Sequence, residues 1–189
     1  MVIDNRQYEA YLGTFYALMC GIAAYYCEFD PRIKSKCQFV ISALWLGFVL
    51  AVSLMEAWVK FRAPLLKKYV AVDVGRHVFS ALNLVESVFC LTLWVIGRDE
   101  VRKIPFVITS LMLLLQVLVV TPALNDRAKH LIVTTATTDV ALRKEYGAYC
   151  DELRAELGGR KIPAAHWHIV YVAFEIIKSG LLGSVLLNM

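Results

Sequence analysis

Four polar side chains that could do chemistry stand in an otherwise apolar helical stretch, GRHVFSALNLVE (75–86). Asn83 and Glu86 are three residues apart, and Arg76 precedes Asn83 by seven, so all three share one helix face. A carboxylate can accept a cation or exchange a proton, and a guanidinium or an amide can bind an anion. The spacing therefore predicts a polar stripe that points into a helix bundle.

Other costly polar groups occur at a similar depth in other apolar segments. Measured inward along each predicted span at ~1.5 Å per residue, five side chains lie about 6 to 13 Å deep: Glu56, Asn83, Glu86, Gln116 and Glu175. Ionisable groups inside a membrane need a partner, a cavity or a function. The shared depth predicts a carboxylate-lined cavity open on one side, with Arg76 and Arg127 at its mouth.

A structural alternative for these groups stays open. Glu56 and Lys60 form an i,i+4 pair, and Glu175 and Lys178 form an i,i+3 pair, so each acid could be neutralised within its own helix. Polar contacts between membrane helices can also serve only to hold a bundle together.

The elements that must position these side chains are membrane helices. The chain is 59% hydrophobic and its mean hydropathy is +0.58, which exceeds what a soluble core needs. We predict an all-α, polytopic membrane bundle forming a single domain, 1–189. Its four strong spans are 39–60, 77–96, 104–124 and 166–187, and a fifth N-terminal span covers 10–27. For that fifth segment, an interfacial helix with tyrosines at headgroup level is the alternative.

The segment 125–165 is the only long connection, and its apolar residues recur at helical spacing. We predict one amphipathic helix outside the membrane, either separate from the 104–124 span or a continuation of it. Twelve lysines and arginines fall on the side of this loop and six on the other side of the four strong spans. The positive-inside rule then places the loop in the cytoplasm, or in the stroma or matrix of an organelle.

The remaining composition predicts few partners beyond the bilayer. The five cysteines contain no CxxC pair, and His166 and His168 point about 200° apart on a helix, so neither a metal nor another cofactor is expected. The net charge of +4 is spread over every loop and fits lipid headgroups rather than nucleic acid. The candidate partners are a small-molecule or ion ligand and further subunits, in a homo-oligomer or a larger membrane complex.

One family resemblance rests on LWLGFVLAVSLMEAWVKFRAPLL and VDVGRHVFSALNLVE, and continues at TPALNDRA. The chain resembles the transmembrane protein 205-like family (domain of unknown function 4149) over about residues 40–187, and anthrone-oxygenase-like membrane proteins look similar in the same places. The resemblance implies a polar-lined bundle that handles small molecules. The matching positions are Gly47, Pro64, Gly75, Arg76 and Phe79, with Pro122, Asn125 and Arg127 at the exit of the third helix.

A narrower resemblance concerns the spacing of Arg76, Asn83 and Glu86. It is similar to the second-helix signature of the membrane-associated proteins in eicosanoid and glutathione metabolism, and it implies glutathione binding between protomers. The chain departs from that family because its third span has no Arg and Tyr pair and its loop 125–165 is much longer.

Taken together, the sequence predicts an integral membrane protein that handles a small molecule or ion in a polar cavity open to the cytoplasmic side. Two alternatives remain: a membrane enzyme acting on a lipophilic substrate, glutathione-dependent or oxygenase-like, and an accessory subunit of a membrane complex. The candidate ligand-binding residues are Glu56, Arg76, Asn83, Glu86, Gln116, Asn125, Arg127 and Glu175.

Overall fold

The computed structural model describes residues 5–27, 31–96 and 103–187. Every regular element in these ranges is helical and none is a strand, which confirms the predicted all-α class. The helices are α1 (Asn5–Cys27), α2 (Pro31–Val49), α3 (Ala57–Arg62), α4 (Lys68–Ile96), α5 (Lys103–Leu115), α6 (Thr121–Thr138), α7 (Val140–Leu157) and α8 (His166–Leu186).

Two π-helical turns join neighbouring helices without a break in the chain's helical path. Leu50–Glu56 connects α2 to α3, and Gln116–Val120 connects α5 to α6. Single π-turns inside α-helices occur frequently at functional sites. Both turns here supply a side chain to the polar cluster described below.

Four helical units among the described residues are long and apolar enough to cross a membrane: Arg32–Arg62, Lys68–Ile96, Ile104–Thr138 and His166–Leu186. The first three units contain the predicted strong spans 39–60, 77–96 and 104–124 and extend beyond them, and the fourth matches the predicted span 166–187 to within one residue. Large apolar side chains point outward along these units, including Leu91, Leu118 and Ile169, all more than 60% exposed. Lipid accepts such side chains and water does not, so the chain is an integral membrane protein by composition and length.

Helix α1 packs against α4 and α2, and Tyr16 makes edge-on ring contacts with Phe48 and Phe89. The apolar part of α1, Ala10–Ile22, is shorter than the four long units and than the ~20 residues of a full crossing. A fifth span over 10–27 therefore stays a prediction.

The long connection contains two helices rather than the single amphipathic helix that the sequence predicted. The third long unit continues through α6 to Thr138, as the predicted continuation required, and α7 then packs back along α6. Asp139 separates them: its backbone is extended, and its carboxylate accepts a hydrogen bond from the Leu142 backbone N–H at 3.1 Å, capping α7. The hairpin buries Ile132, Ala136, Leu142, Cys150 and Leu153.

The orientation of the bundle stays a prediction because it rests on charge counting. Arg98 and Arg102, two of the six basic residues on the less basic side, lie outside the described residues. The α6–α7 hairpin, the end of α3 and the starts of α4 and α8 all lie at one end of the bundle.

Candidate functional site

A cluster of polar side chains lies in the interior, centred on the Lys178 ammonium. Lys178 Nζ contacts both oxygens of Glu86, at 2.6 and 2.9 Å, and Glu175 Oε1 at 3.0 Å. The three side chains are at most 1% exposed. We call these three residues the Lys178 triad.

Neutral side chains complete the hydrogen bonding around the triad. Trp45 Nε1 donates to Glu86 Oε1 at 2.8 Å. Gln116 Nε2 donates to Glu175 Oε1 at 2.7 Å and to Asn83 Oδ1 at 2.9 Å, while Asn83 Nδ2 donates to Thr121 Oγ1 at 2.7 Å. Ser53 Oγ donates to Glu175 Oε2 at 3.0 Å. Helices that are separate along the chain are thereby joined through one buried network.

Beside this network lies a cavity of about 410 Å³, which we call the Glu175 cavity. Its walls come from the π-helical turn Leu50–Glu56 and from α3, α4, α6 and α8, at the end of the bundle where the α6–α7 hairpin lies. Most of the lining is apolar, with Trp58, Phe61, Phe79, Leu124 and Val172 among the wall residues. Its polar lining residues are Ser53, Lys60, Arg76, Thr121, Asn125, His168, Tyr171 and Glu175.

The inner part of the cavity has an unusual polar group. Tyr171 is 2% exposed and lines the cavity, but its hydroxyl forms no hydrogen bond of normal geometry with any described residue, although Ser53 and Glu175 are close. Buried hydroxyl groups normally have a partner. The cavity thus presents a hydroxyl with unused bonding capacity near a carboxylate.

Two ion pairs flank the outer part of the cavity. Lys60 Nζ lies 3.1 Å from Glu56 Oε2 and 5.0 Å from the centre of the Phe79 ring. Glycine at position 75 gives this ammonium its space, because a Cβ there would lie 2.6 Å from Lys60 Nζ. Arg76 Nε donates to Asp73 Oδ1 at 2.7 Å.

The predicted site residues therefore divide into three groups. Asn83, Glu86, Gln116 and Glu175 meet in one network, as their shared depth predicted. Arg76, Asn125 and Glu175 line the cavity. Glu56 is paired with Lys60 outside the network, and Arg127 donates to the Pro163 carbonyl at 2.7 Å, which ties α6 to the segment before α8.

The predicted stripe of Arg76, Asn83 and Glu86 does not meet at one ligand position. Arg76 is bonded to Asp73 and to the Tyr149 hydroxyl, whereas Asn83 and Glu86 are bonded inside the bundle. The cavity is also mainly apolar, with one carboxylate in its lining rather than several. The sequence set omitted seven polar residues of the network and the cavity lining: Trp45, Ser53, Lys60, Thr121, His168, Tyr171 and Lys178. Lys60 and Lys178 carried a signal in the sequence, as charges inside apolar runs.

Within the described ranges, no three His, Cys, Asp or Glu side chains lie close enough together to hold a metal ion. No family model, no curated protein and no solved structure matches the chain. The resemblances carried by residues 40–187 and by Arg76, Asn83 and Glu86 therefore stay predictions.

Tyr149 connects the hairpin to the edge of the cavity. Its hydroxyl donates to Asp73 Oδ1 at 2.9 Å and accepts from Arg76 Nη2. Burial raises the pKa of Tyr149 to about 12, with Asp73 acting in the same direction and Arg76 against it, so the hydroxyl keeps its proton at neutral pH.

Replacing Tyr149 with phenylalanine should weaken the docking of α7 by about 1 kcal/mol, the usual net value of a partly buried hydrogen bond. Amide hydrogen exchange of residues 140–157 would then be about fivefold faster. Tyr146→Phe, a change of the same kind at an exposed position of the same helix, is the control. Equal exchange rates in the two variants would show that the Tyr149 hydroxyl does not hold the hairpin.

Proposed function

We propose that this integral membrane protein binds a small molecule with a largely apolar body in the Glu175 cavity. The observation that carries the proposal is the combination of an apolar-walled cavity of about 410 Å³ with a buried carboxylate in its lining and a tyrosine hydroxyl that makes no hydrogen bond of normal geometry. Ligand pockets typically measure about 300 to 1,000 Å³ and combine apolar walls with a few converging polar groups.

The surroundings of the cavity support a lipophilic ligand in particular. Leu54, Trp58 and Phe61 line the cavity and are also 46 to 62% exposed on the outer surface of the bundle. Since that surface faces lipid along the long helices, a molecule dissolved in the bilayer could reach the cavity beside α3. Trp58 also stacks under the Arg62 guanidinium, 4.4 Å from its ring centre, an arrangement typical of the membrane interface.

Handling of a small molecule is thus better supported than glutathione chemistry or a purely accessory role. A glutathione site on the stripe would need Arg76, Asn83 and Glu86 to face one ligand, and their hydrogen bonds lie in different places. An accessory role would use the α6–α7 hairpin as a docking surface for another protein. No contact of the described hairpin indicates which kind of partner that would be.

A substitution that fills the cavity tests the proposal. Ala57 lines the cavity from α3, so Ala57→Trp should occupy its volume and lower ligand occupancy at least tenfold. Native mass spectrometry of the protein released gently from its membrane would measure bound small molecules directly.

Val59→Trp is the matched control, because Val59 lies on the same short helix, is 58% exposed and does not line the cavity. The control should keep the wild-type pattern of bound molecules. The proposal fails if wild type and Ala57→Trp carry the same bound small molecules in the same amounts.

A further inference from the structure

We infer that the Glu175 cavity selects an organic cation: an ammonium group on an apolar body, with the ammonium placed between Glu175 Oε2 and the Tyr171 hydroxyl. This inference rests on the proposed function and adds the charge class of the ligand. Its first support is a count of charges in the buried cluster.

The Lys178 triad contains two carboxylates and one ammonium. The next cations toward the cavity are already engaged, Lys60 with Glu56 and Arg76 with Asp73, and the triad's other neighbours, Trp45, Gln116 and Ser53, are neutral. The triad therefore has one carboxyl group more than its described cations balance. A buried carboxyl group without a counter-charge is neutralised either by a proton or by a cation nearby, and a cation bound in the cavity would take the place of that proton.

The geometry indicates where that counter-charge fits. Glu175 Oε1 already accepts from Gln116 and Lys178, two residues that do not line the cavity. Oε2 accepts only from Ser53 among the described residues, and Ser53 and Glu175 both line the cavity. Oε2 is thus the carboxylate oxygen with bonding capacity on the cavity side.

Tyr171 supplies a second, independent indication of a ligand at this position. Its hydroxyl is buried in the cavity lining close to Ser53 and Glu175, but it makes no hydrogen bond of normal geometry with a described residue. Even where the hydroxyl donates to Glu175, its oxygen keeps the capacity to accept. An ammonium group has hydrogen-bond donors and no acceptor, so it can donate both to this hydroxyl and to Glu175 Oε2. The neighbouring rings of Phe79 and Tyr171, whose centroids are 4.9 Å apart, add a surface that attracts cations.

An inorganic cation fits this position less well. Sodium-like and calcium-like ions need about six oxygen ligands, and the inner cavity offers the oxygens of Glu175, Ser53 and Tyr171 beside apolar walls. An anion would meet the Glu175 carboxylate, and the two cations of the lining, Lys60 and Arg76, are already paired with Glu56 and Asp73. An organic ammonium matches the carboxylate, the hydroxyl and the apolar walls together.

A probe series that changes only the charged group tests the inference. The probes are 2-phenylethylammonium, 2-phenylethanol and 3-phenylpropanoate, titrated calorimetrically into the protein in zwitterionic nanodiscs, with empty nanodiscs as the blank. We expect the ammonium to bind at least tenfold more tightly than the alcohol, and the carboxylate to bind most weakly.

Glu175→Gln should remove this preference. It should lower the affinity for the ammonium probe about tenfold and leave the affinity for the alcohol within twofold of the wild-type value. The variant leaves Lys178 paired with Glu86, so the cluster becomes neutral and the fold is expected to persist. Tyr171→Phe, a milder change, should lower the affinity for the ammonium probe about threefold. Asp151→Asn, which removes an exposed carboxylate of α7 outside the cavity lining, should change the affinity for neither probe.

The two proposals fail in different ways. If the alcohol binds as tightly as the ammonium, or if Glu175→Gln leaves the ratio of the two affinities unchanged, the cation inference is overturned. Loss of the small molecules in Ala57→Trp would still support the cavity as a binding site in that case. A ratio that falls in Asp151→Asn as much as in Glu175→Gln would also overturn the inference, since it would indicate a general surface charge effect.

Discussion

Lys178→Met is expected to destabilise the protein by about 3 to 5 kcal/mol, the range measured when one partner of a buried ion pair is removed. The ammonium is wholly buried and contacts three carboxylate oxygens of Glu86 and Glu175 within 3.0 Å. Without it, two carboxylates would share one water-poor interior with only neutral donors. Reversible denaturant titration in mixed micelles would measure the free energy of unfolding.

Lys60→Met provides a matched control for this prediction. Lys60 is also buried and also forms an ion pair with a glutamate of its own helical unit, but Glu56 is 28% exposed. Water can solvate Glu56 after the change, so the expected cost is about 1 kcal/mol or less. A cost for Lys178→Met no larger than that for Lys60→Met would contradict the central role of the triad.

The double variant Lys178→Met with Glu86→Gln separates lost charge pairing from lost packing. Removing one carboxylate together with the ammonium relieves the repulsion, so the double variant should recover part of the loss. Glu86→Gln alone should cost less than Lys178→Met, because it leaves the neutral pair of Lys178 and Glu175. Non-additivity of this kind is the normal signature of groups in direct contact.

The meeting of the polar groups could be predicted from the sequence because depth in a membrane helix follows from counting residues. Asn83 and Glu86 share a face at any rotation of α4, and Gln116 and Glu175 were correctly placed at the same level. Depth says nothing about rotation about the helix axis, however. Glu56 has a suitable depth but belongs to the π-helical turn Leu50–Glu56, where Ser53 reaches Glu175 and Glu56 reaches Lys60.

The cavity itself could not be predicted, because its shape depends on how four helices diverge at one end of the bundle. Tyr171 and Trp45 look like ordinary apolar-run residues in the sequence, and only packing reveals their polar contacts. The break at Asp139 did carry a local signal. Asp is a preferred N-cap residue, and Thr137 and Thr138 donate to backbone carbonyls three residues earlier, which competes with continued helix.

Trp45 is the second side chain whose replacement should have a large effect. It is fully buried, its ring packs edge-on against Phe106, and its Nε1 donates to Glu86 at 2.8 Å. Trp45→Ala should cost about 3 to 5 kcal/mol, because a cavity replaces a large close-packed side chain. The same titration in mixed micelles measures this loss.

Trp45→Phe divides that effect between packing and hydrogen bonding. Phenylalanine keeps most of the ring contacts and removes only the N–H donor to a charged acceptor, so it should cost about 1.5 to 3 kcal/mol. Trp94→Phe is the control, because Trp94 is 46% exposed and donates to the neutral Ser110 hydroxyl at 3.1 Å; its expected cost is below 1 kcal/mol. If Trp45→Phe and Trp94→Phe lower the free energy of unfolding equally, the Trp45 hydrogen bond contributes no more than an ordinary surface contact. The buried Glu86 carboxylate would then be stabilised by Lys178 alone.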